Sequence, residues 1–348
     1  MQGTINRLRQ ANKGGGIDDA IARTGDFVCA PILILAFNRP KLVSALLKRI
    51  SFAKPARIFF AVDAARSEAE MDLVEQTKKV ILEIDWPCKV STFFRTENRG
   101  CRNAPPEAIS WFFDHVEGGI ILEDDCHPAP EFLRLASELL TRYKDDERVG
   151  AITAFNRYNL QSDKETTYHF SKELNIWAWA SWKRVWEKYD VTLERYAADI
   201  DRIIDNHTQN SRMRKYYRKA FSFVKDNAGS TWDFQFGFAF MANGYLSVVP
   251  RERLVSNMGI SLAASTHTGG YDFFEQDFST AGSIDFPIVH PAEVSADAVA
   301  DDMTERIICG LVPRGIIFVG NFMPKCVRRV MTTVGHWLMW RQSWLFRI

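Results

Sequence analysis

The sequence predicts an α/β fold: an open, mostly parallel, twisted sheet with flanking helices, followed by a basic amphipathic C-terminal tail. Three observations carry that expectation. The short, continuously apolar run Ile32 to Phe37 suits a strand buried on both faces, and Arg57 to Val62 and Gly119 to Leu122 follow as further short strands. Segments with apolar residues at helical spacing fall between them, and this alternation predicts βαβ units. The chain has 348 residues, 46% hydrophobic and 25% charged, enough for one large α/β domain or two ordinary ones.

Taken in order, residues 1–30 are polar, carry Gly14-Gly15-Gly16 and read as a flexible arm. Strand Ile32 to Phe37 leads through Asn38-Arg39-Pro40 into a helix with Leu42, Val43, Leu46 and Leu47 on one side. Strand Arg57 to Val62 ends at Asp63 and precedes a helix through Leu73, Val74, Val80 and Ile81. Lys89 to Phe94 is a third strand, Ala108 to Val116 a helix, and Gly119 to Leu122 a fourth strand. Cys126 to Pro130 reads as a loop entering a helix near Glu131. Val149 to Ala154 and Tyr245 to Pro250 are further strands. Ile176 to Tyr189 runs from strand or turn into helix, and Ile203 to Asp226 is one helix, basic on one side.

Charge is unevenly spread. Lys+Arg total 44 and Asp+Glu 43, and no global basic excess points to nucleic acid. From residue 306 onward there are seven Lys/Arg and no acid, leaving the first 305 residues acidic. In that tail Val327, Val330, Met331, Val334, Trp337, Leu338 and Leu345 recur at helical spacing, the pattern of a segment lying in an anionic membrane interface or else packing on the preceding domain or a dimer partner. Residues 1–30 lack the apolar run of a signal peptide, and no run of 18 uncharged apolar residues occurs. Six scattered cysteines form no C-x-x-C pair. The expected location is the cytoplasm, peripheral on the inner face of the plasma membrane if the tail binds there, with reduced thiols.

Ligands of open α/β sheets bind beyond the carboxyl ends of the strands. Three of the strands end in polar residues: Asn38-Arg39, Asp63 and Glu123-Asp124-Asp125. Carboxylates at a strand end suit Mn²⁺ or Mg²⁺ and leave positions open for phosphate oxygens. On spacing alone, a metal site and a solvated acidic turn fit equally well.

The segment GGIILEDDCHPAPEFL resembles the metal-binding stretch of GT-A-fold (Rossmann-like) glycosyltransferases of the alpha-mannoside N-acetylglucosaminyltransferase I type. The chain also looks like bacterial hemolytic-protein-like nucleotide-diphospho-sugar transferases. PILILAFNRP, FFAVDAARSEAE, TENRGCRNA, GAITAFN, NIWAWASWKRVW and STWDFQFGFAF support the resemblance in order. It covers roughly residues 31–268, implying a catalytic domain with a donor half at about 31–150 and an acceptor half at about 151–268. Residues 269–305 would then be a C-terminal extension and 306–348 the tail.

The resemblance implies a metal-dependent, inverting transferase that uses a nucleoside-diphosphate sugar, UDP-linked, and a glycan or glycolipid acceptor. Asp125 matches the Mn²⁺ ligand, and Asp124 the acid near the donor ribose or sugar, with Glu123 opening the triplet. Asn38, Arg39 and Asp63 match the nucleotide side of the site. Arg102, in a G-C-R-N pattern, is expected at the diphosphate in preference to Arg99, which suits a basic helix start. His267 falls where some relatives place a late His near the diphosphate; a loop His without a role fits equally. Trp232-Asp233 matches the pair that supplies the catalytic base, although Asp233 also suits a first helical turn.

The acceptor half diverges from the family, so neither donor sugar nor acceptor transfers by analogy. Two other functions compete. A sugar-1-phosphate nucleotidyltransferase would want a Gly-rich phosphate loop after the first strand, and Phe37-Asn38-Arg39-Pro40 offers none. A degenerate glycan-binding protein is disfavoured by retention of Glu123, Asp124, Asp125 and Asp233 together.

Overall fold

The structure is a computed structural model and describes residues 25–163, 165–227, 231–259 and 281–309. His267 and nearly all of the basic tail lie outside the described residues.

The fold is mixed α/β and Rossmann-like, built on a large, mostly parallel sheet of eight strands flanked by helices. The strands are β1 (Ile32–Ala36), β2 (Arg57–Val62), β3 (Lys89–Phe94), β4 (Gly118–Glu123), β6 (Val149–Thr153), β7 (Tyr168–Ser171), β8 (Trp179–Trp182) and β9 (Leu246–Pro250). Two further strands, β5 (Cys126–Pro128) and β10 (Val255–Asn257), pair with each other. The sheet order is β3-β2-β1-β4-β8-β6-β9-β7. β7 and β8 run antiparallel to their neighbours, and the other pairings are parallel.

The helices are α1 (Pro40–Ile50), α2 (Glu68–Lys79), α3 (Gly100–Phe113), α4 (Pro130–Arg142), α5 (Lys183–Trp186), α6 (Glu194–Ala197), α7 (Ile200–His207), α8 (Ser211–Asn227), α9 (Asp233–Ala242) and α10 (Ala298–Ile308). β1 lies between β2 and β4, and Ile32, Leu33 and Ile34 are fully buried because helices cover both faces of the sheet. α1 starts with Pro40 at a position where the missing N–H costs nothing, and it buries Val43, Leu46, Leu47 and Ile50. The edge strand β3 keeps Lys89 and Thr92 exposed, a polar margin that discourages further pairing.

Three expectations need correction. Cys126 to Pro128 is a strand rather than a loop, because it pairs with residues far away in sequence, Asn257 opposite Cys126. The helix expected from Ala108 begins at Gly100, since the carboxylate of Asp63 accepts the Arg99 and Gly100 N–H groups and fixes its first turn. Pro105 and Pro106 lie within that helix and hid its start. Ile203 to Asp226 is two helices, α7 and α8, separated where Asn210 Oδ1 accepts the N–H groups of Arg212 and Met213 as a cap.

Candidate functional site

The parallel arrangement brings the ends of β1, β2 and β4 to one edge. The Asp124 N–H donates to the Leu35 carbonyl at 3.1 Å, and the Asp63 N–H to the Ala36 carbonyl at 3.2 Å. Asn38-Arg39, Asp63 and the acidic triplet therefore share one pole. Arg39 bridges two elements there: Nη1 donates to Asp124 Oδ1 at 3.1 Å and to Asp125 Oδ2 at 2.8 Å. Arg39 thus compensates part of the charge that three consecutive acids concentrate.

Donor atoms of Glu123, Asp125 and Cys126 all lie within 4.8 Å of one another, a set able to hold a metal ion. Asp124 stands apart from this set, bonded to Arg39. Burial raises the Asp124 carboxyl to about 7, with the Asp125 charge adding and Arg39 opposing. Glu123 is raised further, to about 8, by burial first and then by Asp125, Asp124 and Asp233. Cys126 is also pushed well above its ordinary value, by burial and then by the charges of Asp125 and Glu123. A dication would relieve this crowding, so the donor chemistry fits one.

The antiparallel pair of β5 and β10 builds the other wall, which sequence reasoning missed. The Met258 N–H donates to the Asp125 carbonyl at 2.8 Å, and the Gly259 N–H to Asn257 Oδ1 at 2.8 Å. Gly259 lies directly against the Asp125 carboxylate. An N-x-G at a strand end is too common a pattern to have marked this wall.

Asp63 is buried, and both its oxygens are engaged. Oδ1 accepts the Ala64 and Arg99 N–H groups at 2.9 and 3.0 Å. Oδ2 accepts from Gly100 N–H at 2.9 Å and Asn98 Nδ2 at 3.1 Å. The carboxylate thereby ties the start of α3 to the end of β2. Gly100 has φ +71, a conformation that glycine adopts without steric cost. Asn38 Nδ2 donates to Glu70 Oε1 at 3.2 Å, joining the end of β1 to α2. Arg99 pairs with Glu107 at 3.0 Å on the surface.

Asp233 opens α9 and is exposed, while Trp232 before it is buried. Phe236, one turn on, packs 5.2 Å from Trp179 and 5.1 Å from Trp186, so the helix is held by its aromatic face. The Thr231 hydroxyl donates to the Asp233 carboxylate. Asp233 lies near enough to Glu123 and Cys101 for its charge to raise both. The charge of an exposed carboxylate from the second half of the chain thus reaches the strand-end acid Glu123 of the first.

Arg102 is placed otherwise than Arg39. It makes no bond to the triplet among the described residues, and Nη2 donates to the Val191 carbonyl at 3.4 Å. Trp179, Trp182 and Trp186 are core residues, with Trp182 Nε1 donating to the Leu140 carbonyl at 3.1 Å and Trp186 Nε1 to Ser110 Oγ at 2.9 Å. Trp177 packs on Phe155 at 4.6 Å. The Asn156 amide is spent within the protein, donating to the carbonyls of Pro250 and Leu160 and accepting from Leu160 N–H. His127 is a buried strand residue whose Nε2 lies 3.3 Å from the Asp124 carbonyl.

No protein-family model matches the chain, and no curated protein does. Among solved structures it is similar to HddC from Yersinia pseudotuberculosis, at 14% identity over 46% of this chain and 80% of that one, with a TM-score of 0.30. The same protein complexed with GMP-PN gives 16% identity at the same coverage and TM-score. At that score the likeness carries no argument about function, which rests on the geometry of the site.

Proposed function

We propose that this chain is a metal-dependent, inverting glycosyltransferase, moving a sugar from a UDP-linked donor to a hydroxyl of a cell-surface glycan or glycolipid precursor. One observation carries the reading: a metal-ligating set at the end of β4, with Arg39 bonded to Asp124 and Asp125 beside it, lies within electrostatic reach of the exposed carboxylate of Asp233 on α9.

Asp125 and Glu123 would hold Mn²⁺ or Mg²⁺ through their carboxylate oxygens, which suit these hard ions. Such an ion, when bound, neutralises charge on a departing diphosphate. Arg39 has a fixed guanidinium at the same point and would donate to phosphate oxygens. Asp63 and Asn38 order the loops that border the nucleotide. Asp233 accepts the proton of the attacking hydroxyl, and the Thr231 hydroxyl orients its carboxylate.

Titration calorimetry with UDP, with and without Mn²⁺, tests the first half of this reading. A panel of nucleotide sugars assayed for Mn²⁺-dependent release of UDP tests the second. Absence of metal-dependent UDP binding would remove the proposal. Synthesis of a nucleotide sugar from a nucleoside triphosphate and a sugar 1-phosphate would replace it with a nucleotidyltransferase.

A further inference from the structure

Away from the carboxylates, α3 and the segment after α5 bring together two polar groups that the protein leaves unused. Arg102 Nη1 is buried and has no hydrogen-bond partner among the described residues. The Tyr189 hydroxyl is in the same condition. The two belong to one neighbourhood, because Arg102 Nη2 donates to the carbonyl of Val191, two residues beyond Tyr189. The phenol ring is fixed by stacking on Trp186, centroids 4.6 Å apart and planes 7° from parallel. Trp186 in turn packs edge-on against Trp232 at 6.2 Å, and Trp232 directly precedes Asp233. The Tyr189 hydroxyl feels the charges of Arg102, Asp233 and its neighbour Asp190.

Buried donors without acceptors are costly, and a charged one most of all. Every hydrogen on a guanidinium is a donor, and a phenol offers one more. The group that satisfies both while offsetting the guanidinium charge is an oxyanion, which accepts only. A neutral sugar hydroxyl would leave the charge uncompensated. The position favours the acceptor: Trp186, on which Tyr189 stacks, packs on Trp232 beside Asp233, whereas Arg39 is the cation bonded to Asp124 and to the metal-ligating Asp125.

We propose that Arg102 and Tyr189 form an oxyanion subsite beside Asp233, which takes the carboxylate or phosphate of an anionic acceptor sugar. The proposal rests on the reading of Asp233 as the base and names the acceptor class for that site.

The test uses the full chain and three probes: glucuronate, glucose 6-phosphate and glucose. Binding of each is measured by saturation-transfer NMR with and without saturating UDP and Mn²⁺. The wild type should bind an anionic probe about ten-fold or more tightly than glucose, as expected for a charge-assisted hydrogen-bonded pair. UDP and Mn²⁺ should not displace it. Glucuronate and glucose 6-phosphate separate a carboxylate source from a phosphate source.

Arg102→Gln should abolish the preference and Tyr189→Phe weaken it, both with wild-type circular dichroism and with UDP–Mn²⁺ affinity within about two-fold of wild type. Equal binding of glucose and the anions would overturn the subsite. Loss of UDP–Mn²⁺ affinity in Arg102→Gln would also overturn it and assign Arg102 to the donor diphosphate. If the wild type bound no UDP yet kept an Arg102-dependent anion preference, the subsite would stand and the transferase reading would fall.

Discussion

Gly259 and Asp125 are packed so closely that a Cβ on the glycine would fall 2.2 Å from Asp125 Oδ2. The backbone around the glycine has little room to yield. Its N–H is held by Asn257 Oδ1, and the Met258 N–H is held by the Asp125 carbonyl. Gly259→Ala should therefore turn the Asp125 carboxylate out of the geometry it shares with Glu123 and Cys126. Supports of this kind outside the ligand set are worth roughly 10–100-fold in metal affinity. Mn²⁺ titration should show that loss with unchanged circular dichroism. Wild-type affinity in the variant would mean that Asp125 is not positioned by β10.

Asp125→Ala should abolish metal-dependent UDP binding without unfolding the protein. Asp125 is the largest charge raising both Glu123 and Asp124, so its removal relieves repulsion, and Arg39 keeps its bond to Asp124. The metal-free variant should melt no lower than the wild type. Metal-dependent UDP binding that survives the substitution would move the ion elsewhere.

The sheet was legible wherever a strand is buried on both faces. The run Arg57 to Val62 coincides with β2, and Ile32 to Phe37 overshoots β1 by one residue; the exposed edge strand β3 matches Lys89 to Phe94 without such burial. The acidic triplet was legible for the complementary reason: three carboxylates after an apolar strand must sit at its open end. Contacts made across long stretches of chain were hidden. Nothing local in Cys126-His127-Pro128 announces a partner at Asn257, and nothing near Asp63 announces that it anchors α3. Nor could spacing show that the Arg102 guanidinium donates to the Val191 carbonyl, far along the chain.

The pH dependence of the metal-free protein follows from Asp124 and Glu123. Both carboxyls are raised in the folded state, chiefly by burial, Asp124 to about 7 and Glu123 to about 8. A carboxyl so raised binds its proton more tightly folded than unfolded. Its contribution to stability is complete below the ordinary carboxylate range and is lost as pH rises through its folded value. In EDTA, the melting temperature should fall between about pH 4 and about pH 8, and Asp124→Asn should flatten the fall. Bound Mn²⁺ needs deprotonated ligands, so its stabilising effect should grow over the same interval. A wild-type melting temperature that climbs with pH in EDTA would refute this account.

Asp233→Asn tests the acceptor side separately from the metal. The side chain is exposed and Trp232 and Phe236 hold the helix, so the amide should occupy the carboxylate's place without disturbing α9. It can still accept the Thr231 hydroxyl but cannot take a proton from an attacking sugar. UDP–Mn²⁺ affinity should stay within about two-fold of wild type, while the transfer rate drops by roughly 10²–10⁴-fold, the span for a lost general base. Loss of UDP binding would assign Asp233 to the metal or to the structure of the site. The product adds a second constraint, because one carboxylate acting on the hydroxyl requires displacement from the face opposite the departing diphosphate. NMR of the product should show an inverted anomeric centre, and retention would exclude Asp233 as the base of a single displacement.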